Sequence, residues 1–224
     1  MRYYMTVQLR SDATFSRGEG VAGLVDVEIG HDEAGCPFIG GRVLKGLLVE
    51  EWINLRFALQ ETACKWEAAA EKLFGRIGAT ESGIAKMHVG QATLPPSLLR
   101  MLYQQVEQKK LTATEILESL TTIRRQTSVD STTGAPERGS LRAMRVLIRD
   151  TPLIATLDFD EKPNEQSLAL LVACLLAVRR GGVVRNRGRG RLSLLLHKTL
   201  PTDYKDDTFT RQCFTTFAQE VLKT

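Results

Sequence analysis

The chain has 224 residues, 43% of them hydrophobic and 25% charged, enough apolar material for one sizeable core or one domain carrying an insertion, and this excludes wholesale disorder. Its formal net charge is only +4, so any strongly basic character has to be local. Cys36, Cys64, Cys174 and Cys213 form no C-x-x-C pair, which gives no support to a zinc ribbon or a disulfide framework and fits reduced thiols in a cytoplasmic protein.

The first residues lack an apolar signal core, and the longest apolar run, 168–178, is too short to span a bilayer. Neither a membrane nor secretion is expected. Residues 3–10 alternate, placing Tyr3, Met5, Val7 and Leu9 on one face of a first strand. After a glycine-bearing polar loop (11–23), alternation resumes over 24–29 and sets Asp26 and Glu28 opposite Val25, Val27 and Ile29. Gly35, Cys36-Pro37 and Gly40-Gly41 punctuate a turn. A helix is predicted from near Arg42, because Leu44, Leu48, Trp52, Leu55 and Leu59 recur at helical spacing. Its glycine-led start carries Arg42 and Lys45, and free N–H groups at a positive dipole end make Gly40, Gly41, Arg42 and Lys45 a candidate anion site.

A second helix is expected over 66–74, a loop over 78–83 and a strand over 86–94. No Lys-Ser/Thr follows Gly83, so a nucleotide-binding loop is rejected. Amphipathic helices follow over 97–109 and 113–123, the latter opened by a Thr112/Glu115 capping box and ending in Arg124-Arg125. Residues 126–140 hold almost no apolar side chain apart from Val129. They are predicted to project as an arm, carrying Arg138. Strands over 141–148 and 153–159, a buried helix over 166–180 stopped by Gly181, a last strand over 191–197 and an amphipathic helix over 208–222 complete the chain.

Between the buried helix and the last strand runs Arg179-Arg-Gly-Gly-Val-Val-Arg-Asn-Arg-Gly-Arg-Gly-Arg191, six arginines and four glycines without one acid. Arginine offers a planar fork that matches phosphate oxygens, and glycine lets a backbone come close to a ligand. Mutual repulsion among six unpaired arginines calls for an anion, and nucleic acid is the first candidate. Arg185, Arg187, Gly188, Arg189 and Gly190 are the predicted contacts here, with Arg124, Arg125 and Arg138 as further basic residues. Histidines 31, 88 and 197 share no ligand-like spacing.

Without 95–140 the order is strand, helix, strand, strand, helix, strand. That predicts an α+β, ferredoxin-like (RNA-recognition-motif-like) βαββαβ core, with a mid-chain insertion about 95–140, an arm at 126–140 and a C-terminal glycine-rich loop. One domain is expected over 1–198 and a helical extension over 199–224. The aromatic RNP1 pattern is missing, so base stacking on the sheet is not the expected binding mode.

Gly35-Cys-Pro-Phe-Ile-Gly-Gly-Arg-Val-Leu-Lys-Gly46 resembles the G-x-P-x-I-P-G-S-S-L-K-G signature of the RAMP superfamily of CRISPR-Cas proteins. Residues 182–190 resemble its glycine-rich loop, Leu73-Phe74-Gly75 its L-F-G, and Thr133-Gly134-Ala135 with Gly139-Ser140-Leu141-Arg142 its thumb. Gly40 stands where proline is usual. Within the superfamily the pattern is most similar to the backbone subunit of type III effector complexes. The resemblance implies CRISPR RNA, target RNA and other effector subunits, including copies or paralogues of this chain, as partners. It also implies, with Gly23-Leu24-Val25-Asp26 in place of the family's Gly-x-x-Asp, that Asp26 cuts target RNA with a divalent magnesium or manganese ion that Asp26 binds. Two alternatives stay open: a subunit that grips RNA without cutting, and a CRISPR RNA processing endoribonuclease with His31 as its base.

Overall fold

The computed structural model describes residues 1–76, 78 and 83–223. Four antiparallel strands form the central sheet: β1 (Arg2–Leu9), β2 (Met87–Val89), β5 (Pro152–Phe159) and β6 (Leu192–His197), in the order β2-β5-β1-β6. Strand β1 lies between β5 and β6, and its register sets Val7 opposite both Leu153 and Leu194, and Met5 opposite Ala155 and Leu196. Period-two alternation thereby turns one whole face apolar. Onto it pack α1 (Gly41–Leu59), through Leu44, Leu47, Leu48 and Trp52, and α5 (Glu165–Ala177), which is buried almost all round. This is the ferredoxin-like α+β architecture that the order of elements predicts.

The other face is polar. Thr6 hydrogen-bonds His197 Nε2 at 3.1 Å, and both Thr6 and Gln8 donate to the Tyr204 carbonyl, so the chain after β6 crosses this face. Burial holds the His197 imidazole below its ordinary pKa. A 3₁₀ stretch (Gln60–Trp66) joins α1 to α2 (Glu67–Phe74). The terminal helix α6 (Thr208–Leu222) packs on α5 and sets Phe217 against Trp66, ring centroids 4.7 Å apart and planes tilted by 43°. Its predicted apolar stripe is shorter than expected, because Leu222 is 85% exposed.

Two helices, α3 (Pro96–Glu107) and α4 (Ala113–Leu120), lead into a separate two-stranded sheet of β3 (Thr121–Gln126) and β4 (Arg142–Leu147). The capping box is present at Thr112 and Glu115. The helix expected to run to 123 stops at Leu120, however. Thr121-Thr122-Ile123 is a β-branched run that prefers a strand, and the Thr121 hydroxyl donates to the Leu117 carbonyl at 2.5 Å. Arg124 and Arg125 are therefore strand residues paired with Met144 and Ala143. The strand expected over 141–148 exists as β4, in this small sheet rather than in the central one.

Other boundaries moved for local reasons. Residues 24–29 form only isolated bridges, Val21–Val25, Val27–Met144 and Ser16–Ile29, because no continuous partner strand lies beside them. The strand expected over 86–94 is regular only over Met87–Val89. Helix α5 ends at Ala177, three residues early, because Arg180 bridges to Arg191 instead. Gly181 is no helix stop: it is buried, and a Cβ there would sit 2.9 Å from both Leu47 and Leu192. The loop expected over 78–83 lies mostly outside the described residues.

Glu28 was expected beside Asp26 on the outer side. It is instead buried in an ion pair with Arg145 of β4, whose Nε–H is shared between Oε1 at 2.9 Å and Oε2 at 3.0 Å. Arg145 also donates to Thr121 Oγ1, and Glu28 Oε1 accepts the Ile29 N–H. A buried pair is tolerated when further hydrogen bonds support it, as those from Arg145 Nη1 and the Ile29 N–H do. Arg145→Met leaves the carboxylate unpaired in the core, so the protein should lose about 3–5 kcal/mol in urea unfolding, and Glu28→Leu/Arg145→Met should recover most of it. An unchanged unfolding midpoint in Arg145→Met would contradict this packing.

Candidate RNA interface

The arginine-glycine loop is clasped at its base and laid over the end of β1. Gly181 N–H donates to the Gly190 carbonyl at 2.9 Å, Leu192 N–H to Arg179 and Val183 N–H to Thr14. Gly182 and Gly190 have φ of +85° and +70°, and a Cβ would lie 2.4 Å from the Thr14 carbonyl and 2.1 Å from the Gly181 carbonyl respectively. Only glycine fits there. Gly190 is thus buried and holds the loop, whereas Gly188 stands open at its crest with nothing within 4 Å.

The six arginines are not all unpaired, as their sequence alone suggested. Arg185 reaches across to α1 and binds Glu50 through both guanidinium nitrogens, at 3.0 and 2.7 Å. Hydrogen bonding from Arg185 holds the Glu50 carboxyl below the usual range. Arg189 Nη1 lies 3.1 Å from Met144 Sδ. Arg187 is exposed, and its guanidinium makes no hydrogen bond or ion pair among the described residues; only its main-chain N–H is engaged, with the Val184 carbonyl.

On one side of the loop, Gly182, Val184, Arg185, Asn186 and Arg187 face Gln126, Thr127, Ser128, Ser140 and Arg142 across a groove of about 510 Å³. That opposite wall is the base of the arm. The arm continues the β3–β4 hairpin outwards: Val129 bridges Pro136, Ser128 N–H donates to Ser140 Oγ, and Asp130 Oδ1 accepts the Thr132 and Thr133 N–H groups at its turn. Its residues, Arg138 included, are exposed. Arg125 is exposed on β3, and Arg124 is paired with Asp12 at 2.7 Å.

Asp26 belongs to the same neighbourhood. Its main-chain N–H donates to the Ala143 carbonyl at 2.8 Å, and its Oδ2 accepts the Ala143 N–H at 2.7 Å. Ala143 is next to the groove residue Arg142, so the carboxylate is fixed at the arm base, with Oδ1 making no hydrogen bond among the described residues. The turn before it is built on glycine: a Cβ on Gly20 would lie 2.5 Å from the Val25 carbonyl, and Gly23 has φ +76°.

The helix start is farther off. No side chain caps α1 at Gly40. Gly41 needs to be glycine because a Cβ would meet the Val89 carbonyl at 2.0 Å. Arg42 is exposed and Lys45 half-buried, with burial pushing the Lys45 ammonium below its ordinary range. The loop touches α1 at Leu47 and Glu50, and Glu50 lies on the order of 14 Å along the axis from Gly41. Gly40, Gly41, Arg42 and Lys45 therefore share a helix with the loop's anchor but do not line its groove. His31 sits in the turn before α1, its Nδ1 3.0 Å from the Asp32 carbonyl.

A sequence model of the RAMP superfamily matches residues 10–193. The chain belongs to the RAMP superfamily. A chain of the type III-B Cmr-β complex in its apo state, solved by cryo-EM, shares the fold of this RAMP protein with a TM-score of 0.62 and 13% identity, covering 90% of this chain and 99% of that one. A chain of the type III-B Cmr-β complex bound to cognate target RNA matches with a TM-score of 0.61 and 12% identity, covering 88% and 97%. No curated protein matches it.

Among the described residues there is no group of three or more His, Cys, Asp or Glu side chains placed to hold a metal ion. Asp26 offers one free carboxylate oxygen. That fits a magnesium-type ion, which is commonly held by one or two carboxylates together with water and substrate phosphates, and does not fit an all-protein cage. No helix of this RAMP protein is long and apolar enough to cross a membrane.

Sequence reasoning overlooked Asp12, Glu28 and Arg145, whose roles depend on partners over a hundred residues away. If the loop is held as described, Gly190→Ala should cost about 1–3 kcal/mol in urea unfolding, from forced φ and the clash with Gly181. Wild-type stability would contradict that geometry.

Proposed function

We propose that this RAMP protein is an RNA-binding backbone subunit of a type III effector complex, working beside other subunits that include copies or paralogues of itself. The observation that carries the reading is the meeting of the arginine-glycine loop, the arm base and Asp26 around the start of β4. Arg185, Arg187 and Arg142 line a groove whose other wall is the base of a projecting hairpin, and Asp26 is bonded to the same strand, one residue from Arg142. Guanidiniums of this kind hold phosphates without reading bases, leaving sequence choice to pairing between CRISPR RNA and target. The fold shared with type III-B Cmr-β chains supports the assignment.

For target cleavage, the arm splays neighbouring nucleotides so that a 2′-hydroxyl lines up with its own phosphate. Asp26 Oδ1 orients that hydroxyl or takes its proton. The 2′-oxygen then bonds to phosphorus as the P–O5′ bond breaks, leaving a cyclic phosphate and a 5′-hydroxyl. A magnesium or manganese ion at Asp26, if held there, supplies charge stabilisation on the phosphate. The Ala143 N–H keeps the carboxylate from turning away.

One observation favours a grip without cutting. The nearest acid in sequence, Glu28, is committed to Arg145 and unavailable to assist Asp26. Asp26→Asn in the assembled complex separates the two readings. Cleavage opposite this subunit should fall by about 100-fold or more while target binding stays within about twofold. Cutting that persists at that position would leave a purely structural RNA-binding role.

A further inference from the structure

The arginine-glycine loop has a second side. There Gly188 and Arg189 close a bay of about 520 Å³ with Arg10, Ser11 and Asp12 at the end of β1, Arg124 of β3 and Arg149 after β4. No apolar side chain lines it. Four guanidiniums face one carboxylate, and that carboxylate is already occupied. Asp12 Oδ2 accepts two hydrogen bonds from Arg124, at 3.1 and 2.7 Å, and its Oδ1 accepts the Arg149 main-chain N–H at 3.2 Å. Its carbonyl takes the Gly190 N–H at 2.9 Å. Asp12 therefore acts as a pillar that fixes Arg124 and the base of the loop.

The other three guanidiniums have only weak or neutral partners. Arg10 donates to Ser193 Oγ and Arg189 to Met144 Sδ. Arg149 Nε lies 3.8 Å from Asp150, with both side chains largely exposed, a geometry worth little in water. A surplus of three positive charges remains in a wholly polar bay. Such a lining suits phosphate oxygens and offers nothing to an apolar ligand. The bay adjoins the arm-side groove across the bare crest at Gly188, where nothing lies within 4 Å of a would-be Cβ to obstruct a passing chain.

We propose that this bay is a second phosphate-binding site for RNA, in which Arg10, Arg149 and Arg189 hold the stretch of ribose-phosphate chain that leaves the arm-side groove over Gly188. The inference rests on the RNA-binding reading above, and its test separates the two. Binding of a labelled oligouridine to the full-length chain is measured by fluorescence anisotropy over a range of salt concentrations, for wild type, Arg10→Gln/Arg149→Gln and Arg185→Gln/Arg187→Gln. Arg10 and Arg149 are exposed and hold no element in place, so melting of their double variant should match wild type. Its affinity should fall roughly tenfold, and the slope of log affinity against log salt should become shallower by about 1.4, as two fewer phosphates are neutralised.

Wild-type affinity and slope in Arg10→Gln/Arg149→Gln, alongside weakened binding in Arg185→Gln/Arg187→Gln, would overturn the second site and leave the first standing. Wild-type binding by both double variants would overturn both.

Discussion

A single buried ion pair ties the functional parts of this molecule together. Glu28 and Arg145 have side chains 2% and 6% exposed, and around them meet the turn carrying Asp26, strand β4 of the arm and the end of α4 through Thr121. The Arg145 carbonyl accepts the Thr14 hydroxyl, and the Thr14 carbonyl in turn accepts the Val183 N–H of the arginine-glycine loop. A shift of β4 would therefore move Asp26, the arm base and the loop together. Such a pair adds little net stability over well-packed apolar residues, yet losing one partner is costly, so its service is to fix register.

Charge explains the surface as register explains the interior. With a net charge of only +4, the chain spends acids selectively: Glu50 anchors Arg185 and Asp12 anchors Arg124. Each pair fixes one arginine as a strut while its neighbours stay open. Like charges a few ångströms apart in water cost up to about 1 kcal/mol per pair. The unpaired set along the loop is thus a modest load in the free protein, one that the proposed binding of phosphates would relieve in a salt-dependent way.

Much of this was legible in the sequence where the signal is local. The alternation of Tyr3, Met5, Val7 and Leu9, the Thr112/Glu115 capping box, the apolar spacing of α1 and the order of elements gave the ferredoxin-like core, and the glycine-bounded arginines marked the loop. The failures have one cause. Glu28 read as an outer residue because alternation assumes that a charge faces water, and only a partner at position 145 makes an inward carboxylate tolerable. Thr121 to Ile123 read as helix because the amphipathic pattern of α4 continues into it, until pairing with β4 overrides that pattern. The helix start at Gly40 to Lys45 and the arginine loop both read as anion sites; α1 joins them but separates them by more than two turns. The loop's neighbour across its groove, the arm base, is joined to it only in three dimensions.

The central claim is that RNA runs between the arginine-glycine loop and the base of the hairpin arm. Ultraviolet crosslinking of the RNA-loaded complex, with peptide mapping of the adducts on this chain, tests it most directly. The account predicts adducts within residues 124–142 and 180–191. Adducts confined to α6, or to the β2 edge of the central sheet, would contradict it.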